Sequence, residues 1–174
     1  MSGAINFKSI IRDVPDLPHE GILFRDITPV LLDPACFNEA INRLAETARG
    51  LDFKYIAGPE SRGFIFGTPL AAKLNKGFIP IRKAGKLPGK TVKTAYSLEY
   101  GEAELEMTDG VINKGDKVLV VDDLLATGGT CAAICKLMEE VGATVSGCVF
   151  FIELTGLNGR ELLGKYNPLS VVKY

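Results

Sequence analysis

Two adjacent carboxylates and a glycine pair lie within one short stretch of the chain, VLVVDDLLATGGT at 118–130. Glycines let backbone amides approach an anion closely, and amides at a helix start carry partial positive charge, so 127–130 is predicted to hold a phosphomonoester. Asp122 and Asp123 would repel that phosphate unless they face hydroxyl groups or a shared divalent cation. A phosphorylated ribose meets both requirements.

Other phosphate-binding motifs fit this stretch less well. A P-loop needs G-x-x-x-x-G-K-[ST], and no lysine follows Gly128 or Gly129, while a dinucleotide fingerprint needs G-x-G-x-x-G with its acidic residue about 20 positions later. A third interpretation makes the glycine pair a tight strand-to-helix connection beside a solvated acidic pair. Two acids and two threonines at fixed offsets favour the sugar-phosphate site.

A sheet whose strands end at one edge is needed to position such a site. Apart from Lys117, residues 117–121 are valine and leucine, which predicts a strand buried on both faces, and 131–141 predict a helix that ends at Gly142. The order of strand, polar loop and helix also occurs at 55–57 and 64–74. Two such units imply parallel strands with right-handed crossovers, so both loops are expected at the same edge.

The remaining segments predict the scaffold around this sheet. Apolar spacing predicts a first helix over 5–14, whereas 22–27 fit neither a strand nor a helix, and Asp33 with Pro34 marks a helix start. The lysine-rich segment 83–93 has no apolar face to bury and is expected to be mobile. The other predicted strands are 77–82, 144–152, an edge strand at 169–173, and a hairpin of 94–100 and 102–107 with Glu102, Glu104 and Glu106 on its solvated face.

Composition limits the class of protein. A chain of 174 residues with 47% hydrophobic content predicts one domain, and a net charge of −1 argues against general nucleic-acid binding. One histidine and no C-x-x-C leave neither a zinc site nor a disulfide framework, so Cys36, Cys131, Cys135 and Cys148 are predicted to be buried thiols. Because no signal peptide or stretch of 18 apolar residues is visible, a cytoplasmic location is expected.

Five segments resemble type I phosphoribosyltransferases. VLVVDDLLATGGT resembles the ribose-phosphate signature of that family, and four others resemble its adenine-specific members: GILFRDITPV at 21–30, GPESRGFIFG at 58–67, IRKAGKLPGK at 81–90 and YSLEYGEAELE at 96–106. The resemblance spans nearly the whole chain. It implies purine salvage by transfer of a 5-phosphoribosyl group from 5-phospho-α-D-ribose 1-diphosphate (PRPP) to adenine, giving AMP and pyrophosphate.

The resemblance also implies a fold and a set of donor-binding residues. The expected fold is α/β, a single domain over 1–174 with a central, mostly parallel twisted sheet flanked by helices, a small hood and a flexible β-hairpin lid. Residues 1–32 and 153–168 would contribute to the base-binding hood. Arg62 and Lys86 are expected to stabilise the departing pyrophosphate and so to be catalytic. The residues expected to bind PRPP or AMP are Arg62, Lys83, Lys86, Asp122, Asp123, Ala126, Thr127, Gly128, Gly129 and Thr130.

The resemblance places the base between residues from opposite ends of the chain. Phe24 offers a ring that can stack on a purine, although a lone phenylalanine is more often a core residue. Glu99 is the expected acid or base at N7 of the purine, and the alternative is a solvated hairpin glutamate. Related hypoxanthine and guanine enzymes have an acid where Ala126 stands, which favours adenine here. The residues expected to contact adenine are Leu23, Phe24, Arg25 and Leu154.

The resemblance implies Mg²⁺ as cofactor, bound through PRPP, with Asp122 and Asp123 reaching it through water and no direct protein ligand. It also implies a homodimer, with no nucleic-acid or membrane partner. Two rival functions stay open: a transferase that acts on another base, and a non-catalytic regulator that keeps the donor site as a sensor. A regulator needs an output surface, and neither a helix-turn-helix motif nor a basic extension is visible.

Overall fold

The computed structural model of the chain describes residues 5–98 and 101–174. Its internal contacts divide the chain into two units, Met1–Arg43 and Leu44–Tyr174. Within the described ranges, every helix is too short or too polar to cross a lipid bilayer.

The first unit begins with an antiparallel ribbon, so the helix predicted over 5–14 was wrong. One turn of 3-10 helix covers Phe7–Ser9, and β1 (Arg12–Pro15) then pairs with β2 (Leu23–Asp26). Loosely helical apolar spacing was outweighed by the backbone hydrogen bonds of a nearby strand, which a periodic pattern does not reveal. The same pairing corrects the expectation that 22–27 would be neither strand nor helix.

Two helices follow the ribbon. α1 (Thr28–Leu32) is short, and α2 (Pro34–Thr47) begins where the sequence predicted. Asp33 Oδ1 accepts hydrogen bonds from the amides of Cys36 and Ala35 at 2.9 and 2.8 Å, and these bonds lower the pKa of the Asp33 carboxyl. This side chain satisfies amides that the helix itself leaves without acceptors.

The second unit is built on a seven-stranded sheet. In chain order its strands are β3 (Tyr55–Pro59), β4 (Gly77–Lys83), β5 (Thr91–Leu98), β6 (Gly101–Thr108), β7 (Lys117–Leu125), β8 (Thr144–Glu153) and β9 (Pro168–Lys173). They lie in the order β5-β6-β4-β3-β7-β8-β9. All neighbours from β4 to β9 are parallel, and β6 pairs antiparallel with both β4 and β5. As predicted, the last strand lies at an edge.

Helices cover both faces of this sheet, which explains its uninterrupted apolar strands. The α-helices that begin within the described part of this unit are α3 (Arg62–Lys73), α4 (Gly129–Glu140) and the short α5 (Gly159–Leu162). Phe150 belongs to the core cluster that contains α4, whereas Phe151 stacks on Phe66 of α3 with ring centroids 4.8 Å apart. Successive strand residues face opposite sides, so α3 and α4 lie on opposite faces. This arrangement confirms the predicted α/β fold with a mostly parallel sheet flanked by helices.

The order of the strands creates a crevice at one edge of the sheet. β3 and β7 are neighbours, but the chain continues from β3 to β4 on one side and from β7 to β8 on the other. Ligands of open α/β sheets bind at such a switch point, beyond the carboxyl ends of the strands. The loops that enter α3 and α4 meet there.

Candidate functional site

A cavity of about 190 Å³ opens at the carboxyl ends of β3 and β7. Its lining comprises Arg62 at the start of α3, residues 122–131, and Phe150. The structure therefore brings together the acidic pair, Arg62 and the segment 126–130, all of which the sequence had nominated for one site.

The two acids belong to the end of β7, which extends beyond the predicted 117–121. Asp122 is paired in register with Phe150 of β8. The Asp123 side chain is 7% exposed, and its Oδ2 lies 2.9 Å from Arg62 Nε. Asp122 is partly exposed, and its Oδ1 accepts a hydrogen bond from the Asp123 amide at 2.8 Å. Both carboxylates line the same cavity, because the strand ends at its rim.

Burial raises the pKa of both carboxyls. The pKa of Asp122 lies well above its ordinary value, chiefly because of burial and then because of the charge of Asp123. Burial also raises the pKa of Asp123, and the Arg62 charge opposes this effect. A carboxylate whose charged form is disfavoured in this way gains from a ligand that brings hydroxyl groups or positive charge.

The turn that enters α4 has the geometry of an anion site. Gly128 adopts a φ of +86°, and a Cβ there would lie 2.9 Å from the carbonyl oxygen of Gly159, so only glycine fits. The Ala132 amide donates to Gly128 O at 2.9 Å as the first hydrogen bond of the helix. The amides of Gly129 and Thr130 precede that bond and belong to the positive end of the helix dipole.

A glutamate connects the loop after β3 to the end of β4. Glu60 Oε1 accepts from the Lys83 amide at 2.8 Å, and Oε2 accepts from Arg82 Nη2 at 2.9 Å. Arg82 Nη1 donates in turn to the Lys86 carbonyl at 3.1 Å. The backbones of two residues nominated for PRPP binding are thus fixed to the loop that carries Arg62.

A second glutamate holds the lysine-rich segment from its other side. Glu106 is 1% exposed, and its Oε1 accepts from the amides of Lys86 and Leu87 at 2.8 and 2.9 Å. Lys93 Nζ lies 4.0 Å from its Oε2. The Leu87 amide and its neighbours hold the pKa of Glu106 at about 2, against the opposing effect of burial.

These contacts correct two predictions. Glu106 does not lie on a solvated face of the hairpin, because the segment before β5 folds over it and buries it. The lysine-rich loop is also shorter than 83–93, since Lys83 ends β4 and Lys93 belongs to β5. A segment without an apolar face has here been anchored through its backbone amides instead.

Three of the residues nominated for adenine belong to β2 of the first unit. Leu23 is 43% exposed, while Phe24 and Arg25 are partly buried. The Arg25 guanidinium forms an ion pair with Asp13 of the paired strand β1. Phe24 is thus neither fully exposed nor fully enclosed, and its predicted stacking on a purine stays a prediction.

Two further nominated residues belong to the second half of the chain. Leu154 directly follows β8, and its amide donates to the carbonyl of Leu125, which lines the cavity, at 2.9 Å. Glu99 lies outside the described residues. Its predicted role in proton transfer therefore stays a prediction.

Three residues that organise the site, Glu60, Arg82 and Gly159, were not among the predicted site residues. Glu60 and Arg82 stand inside segments that carried the family resemblance, so their positions were a usable signal. Gly159 offered no signal, because its role depends on the close approach of its carbonyl to Gly128. Contacts between segments far apart in the chain decide all three roles.

Comparison with known proteins shows extensive similarity. The model of the Phosphoribosyl transferase domain family matches residues 31–168. The adenine phosphoribosyltransferase of Kosmotoga olearia is 53% identical, with 98% of this chain and 100% of that protein covered. The crystal structure of the Thermoanaerobacter pseudethanolicus adenine phosphoribosyltransferase has 49% identity and a TM-score of 0.94, covering 96% of this chain and 97% of that one.

A more distant solved structure contains ligands. It is the adenine phosphoribosyltransferase of Saccharomyces cerevisiae, complexed with adenine and D-2,5-dideoxy-2,5-imino-altritol 1,6-bisphosphate. It is 40% identical, has a TM-score of 0.86, and covers 95% of this chain and 94% of that one. The similarity to these proteins extends over the cavity and the strands that form it.

Proposed function

Because the chain belongs to the phosphoribosyl transferase family, we propose that it transfers the 5-phosphoribosyl group of PRPP to adenine in purine salvage. The products are AMP and pyrophosphate. The observation that carries this proposal is a single cavity in which Asp122, Asp123 and the first turn of α4 meet. A ligand that has both hydroxyl groups and a phosphate matches that combination.

The acidic pair holds the ribose. Asp122 and Asp123 accept hydrogen bonds from its hydroxyl groups, and the burial that raises the pKa of both carboxyls makes new donors favourable. C1 of the ribose develops positive charge as pyrophosphate departs. Two fixed carboxylates near this sugar stabilise that charge more strongly than water would.

The turn 126–130 binds the 5-phosphate. The amides of Gly129 and Thr130 lie at the start of α4, where the helix dipole favours an anion. A Cβ on Gly129 would meet no atom of the described chain within 4 Å, which leaves room for a phosphate oxygen to approach the backbone. Thr127 and Thr130 contribute hydroxyl donors.

Arg62, Lys83 and Lys86 bind the pyrophosphate group and stabilise it as it leaves. The guanidinium of Arg62 has five N–H donors, so its contact with Asp123 through Nε is compatible with a bidentate phosphate contact. Glu60 and Glu106 hold the backbone of the two lysines in place. This preorganisation lowers the entropy lost when the charged groups align on the diphosphate.

Adenine contacts Leu23, Phe24, Arg25 and Leu154, and Glu99 transfers the proton at N7 while N9 attacks C1. Ala126 has no ionisable group for this task, which supports Glu99 as the proton-transfer residue. Replacement of Glu99 by Ala should lower kcat far more than PRPP affinity, as measured by steady-state kinetics and a binding titration.

The chain provides a matched control for the Glu99 experiment. Glu104 is an exposed glutamate of β6, five positions after Glu99 in the sequence, so Glu104→Ala should leave kcat unchanged. A Glu99→Ala enzyme with wild-type turnover would remove this residue from the mechanism.

The carboxylates at the cavity also fit Mg²⁺, which enters with PRPP. Oxygen ligands are the ones that this cation prefers, and Asp122 and Asp123 would hold it through water molecules. When bound, Mg²⁺ supplies positive charge that neutralises the diphosphate and so assists its departure.

An assay of AMP formation from adenine and PRPP tests the function. AMP and pyrophosphate should form in equal amounts, and removal of Mg²⁺ with a chelator should abolish the reaction. Hypoxanthine, guanine and xanthine in the same assay measure base specificity. Tight PRPP binding without formation of any nucleotide would favour the sensor interpretation instead.

We also propose that the enzyme is a cytoplasmic homodimer. The four free, buried thiols support a reducing compartment. The dimer follows from the family resemblance, and sedimentation velocity measures it directly. A monomer that is fully active at the assay concentration would contradict it.

A further inference from the structure

Three of the four cysteines lie together in the core of the second unit. Cys131 and Cys135 are one helical turn apart on α4, and Cys148 lies on β8, against which α4 packs. Their three Sγ atoms lie within 4.8 Å of one another, and Cys135 Sγ and Cys148 Sγ are 3.5 Å apart. All three are free thiols with at most 3% exposure.

The prediction that the cysteines are buried thiols is confirmed, but their spacing in sequence concealed the triangle. An i, i+4 pair on a helix presents both sulfurs on one face, and a strand 13 residues further along supplies the third. The triangle is separate from the groups that the proposed function uses for chemistry. It therefore calls for its own explanation.

Three converging sulfurs favour a soft, three-coordinate ligand. Zn²⁺ in closed sites takes four ligands, and among the described residues this group comprises three cysteines alone. The net charge of the complex also discriminates between candidate ions. Three thiolates would leave a net charge of −1 with Zn²⁺ or −2 with Cu⁺, and the surrounding core is apolar, with Val120, Ile134 and Leu137 in the same cluster.

We propose that the cysteine triangle, Cys131, Cys135 and Cys148, is a binding site for trivalent arsenic, taken up as arsenous acid. The reaction is As(OH)₃ + 3 RSH → As(SR)₃ + 3 H₂O. Three As–O and three S–H bonds break, three As–S bonds form, and each thiol proton leaves in a water molecule. No oxidation state changes, and the product is neutral, as an apolar core requires.

The route to this site runs through the sugar-phosphate cavity. Cys131 lines that cavity and directly follows Thr130, whereas Cys135 and Cys148 are not among the lining residues. Arsenous acid is small and uncharged at neutral pH, which suits passage through a buried wall. Because Cys131 lies in the first turn of α4, arsenic binding should also disturb the amides that hold a phosphate.

The test uses the full-length, reduced protein incubated with sodium arsenite. Native mass spectrometry should show one adduct per chain that has gained one arsenic atom and lost three hydrogens. X-ray absorption at the arsenic edge should show three sulfur neighbours and no oxygen. An adduct with two sulfurs and a retained oxygen, or no adduct, would overturn the proposal.

Two variants provide a matched pair. Cys36 is buried but outside the triangle, so Cys36→Ser should keep the three-sulfur adduct. Cys148→Ala should lose the third sulfur neighbour, and an oxygen should replace it. Retention of three sulfurs in Cys148→Ala, or their loss in Cys36→Ser, would contradict the assignment.

Inorganic phosphate supplies a further check that does not depend on catalysis. Millimolar phosphate in the cavity should slow arsenic uptake if Cys131 is the point of entry. Equal rates with and without phosphate would exclude that route. Should Cys148→Ala fail to fold, as seen by circular dichroism, the absorption spectrum of the wild-type protein still decides the proposal.

Discussion

Asp122 and Glu106 are acidic residues of the same sheet, yet their protonation equilibria are displaced in opposite directions. Burial raises the pKa of Asp122 well above its ordinary value, whereas the pKa of Glu106 is lowered to about 2. Glu106 accepts hydrogen bonds from the amides of Leu87 and Lys86. Asp122 accepts one from the amide of Asp123, and the nearby Asp123 carboxylate raises its pKa further, while the Arg62 charge lowers it.

The opposite pKa shifts distinguish an acid that stabilises the fold from an acid that binds a ligand. A buried carboxylate with a full set of donors stabilises the fold and has little left to offer a ligand. A carboxylate withdrawn from water beside a like charge destabilises the free protein, and a ligand that brings donors or a cation relieves that cost. Glu106 thus belongs to the framework of the lysine segment, and Asp122 belongs to the sugar site.

The largest effect is expected from neutralising the acidic pair. The double variant Asp122→Asn with Asp123→Asn keeps the side-chain shapes but removes both charges from the ribose hydroxyls. Hydrogen bonds to charged groups contribute about 1.5–3 kcal/mol each, so PRPP affinity should fall by about a hundredfold to ten-thousandfold. Isothermal titration measures the loss. Unchanged PRPP binding would refute the assignment of the ribose to these residues.

A smaller effect is expected from Glu106→Gln. The neutral amide keeps one acceptor but loses the charge that attracts the Leu87 and Lys86 amides, so the lysine segment should loosen. Thermal unfolding should occur at a Tm several degrees lower, and the KM for PRPP should rise severalfold while kcat changes less. Glu104→Gln, an exposed neighbour on β6, is the matched control and should change neither. Equal behaviour of the two variants would show that Glu106 positions nothing.

The smallest and most specific effect concerns the pH dependence of stability. A lowered carboxyl pKa stabilises the fold above its unfolded value, so the contribution of Glu106 should be lost as pH falls from 4.5 towards about 2. A raised carboxyl pKa has the opposite effect on stability. The fold therefore loses stability at Asp122 as pH rises from 3.8 through the higher folded-state pKa.

Urea unfolding across this pH range measures the opposite effects of the two acids on the free energy of unfolding. Asp122→Asn should be more stable than the wild type at pH 7 and equal to it in acid, because the Asn has no charge to bury. Glu106→Gln should be less stable at pH 7, and its difference from the wild type should shrink in acid. If both variants changed the stability at pH 7 in the same direction, the distinction between the two acids would be wrong.

The family segments and the central strands were predictable because they depend on local composition. The apolar run before Asp122 was visible as a buried strand, and the glycine pair with its threonines was visible as a phosphate turn. The predictions for elements without strong periodicity were wrong. The ribbon of 12–15 with 23–26 was missed because pairing between distant segments, not local spacing, stabilises it.

The orientation of Glu106 shows the limit of pattern analysis more clearly. Strand alternation places Glu104 and Glu106 on one face, and that face is solvated at Glu104 and buried at Glu106. Alternation identifies a face but not what covers it. The cover is the segment around Lys86, which the chain contributes 20 residues earlier.

By itself, the sequence determined the class of fold, the family and the types of groups at the site, since these follow from apolar periodicity and from short motifs in consecutive residues. Only the tertiary structure decided which acids are saturated with donors, that Gly128 faces the Gly159 carbonyl, and that three cysteines form a triangle. The physical reason is that desolvation, hydrogen bonding and steric exclusion act over a few ångströms in space. They depend on neighbours that folding assembles from distant parts of the chain.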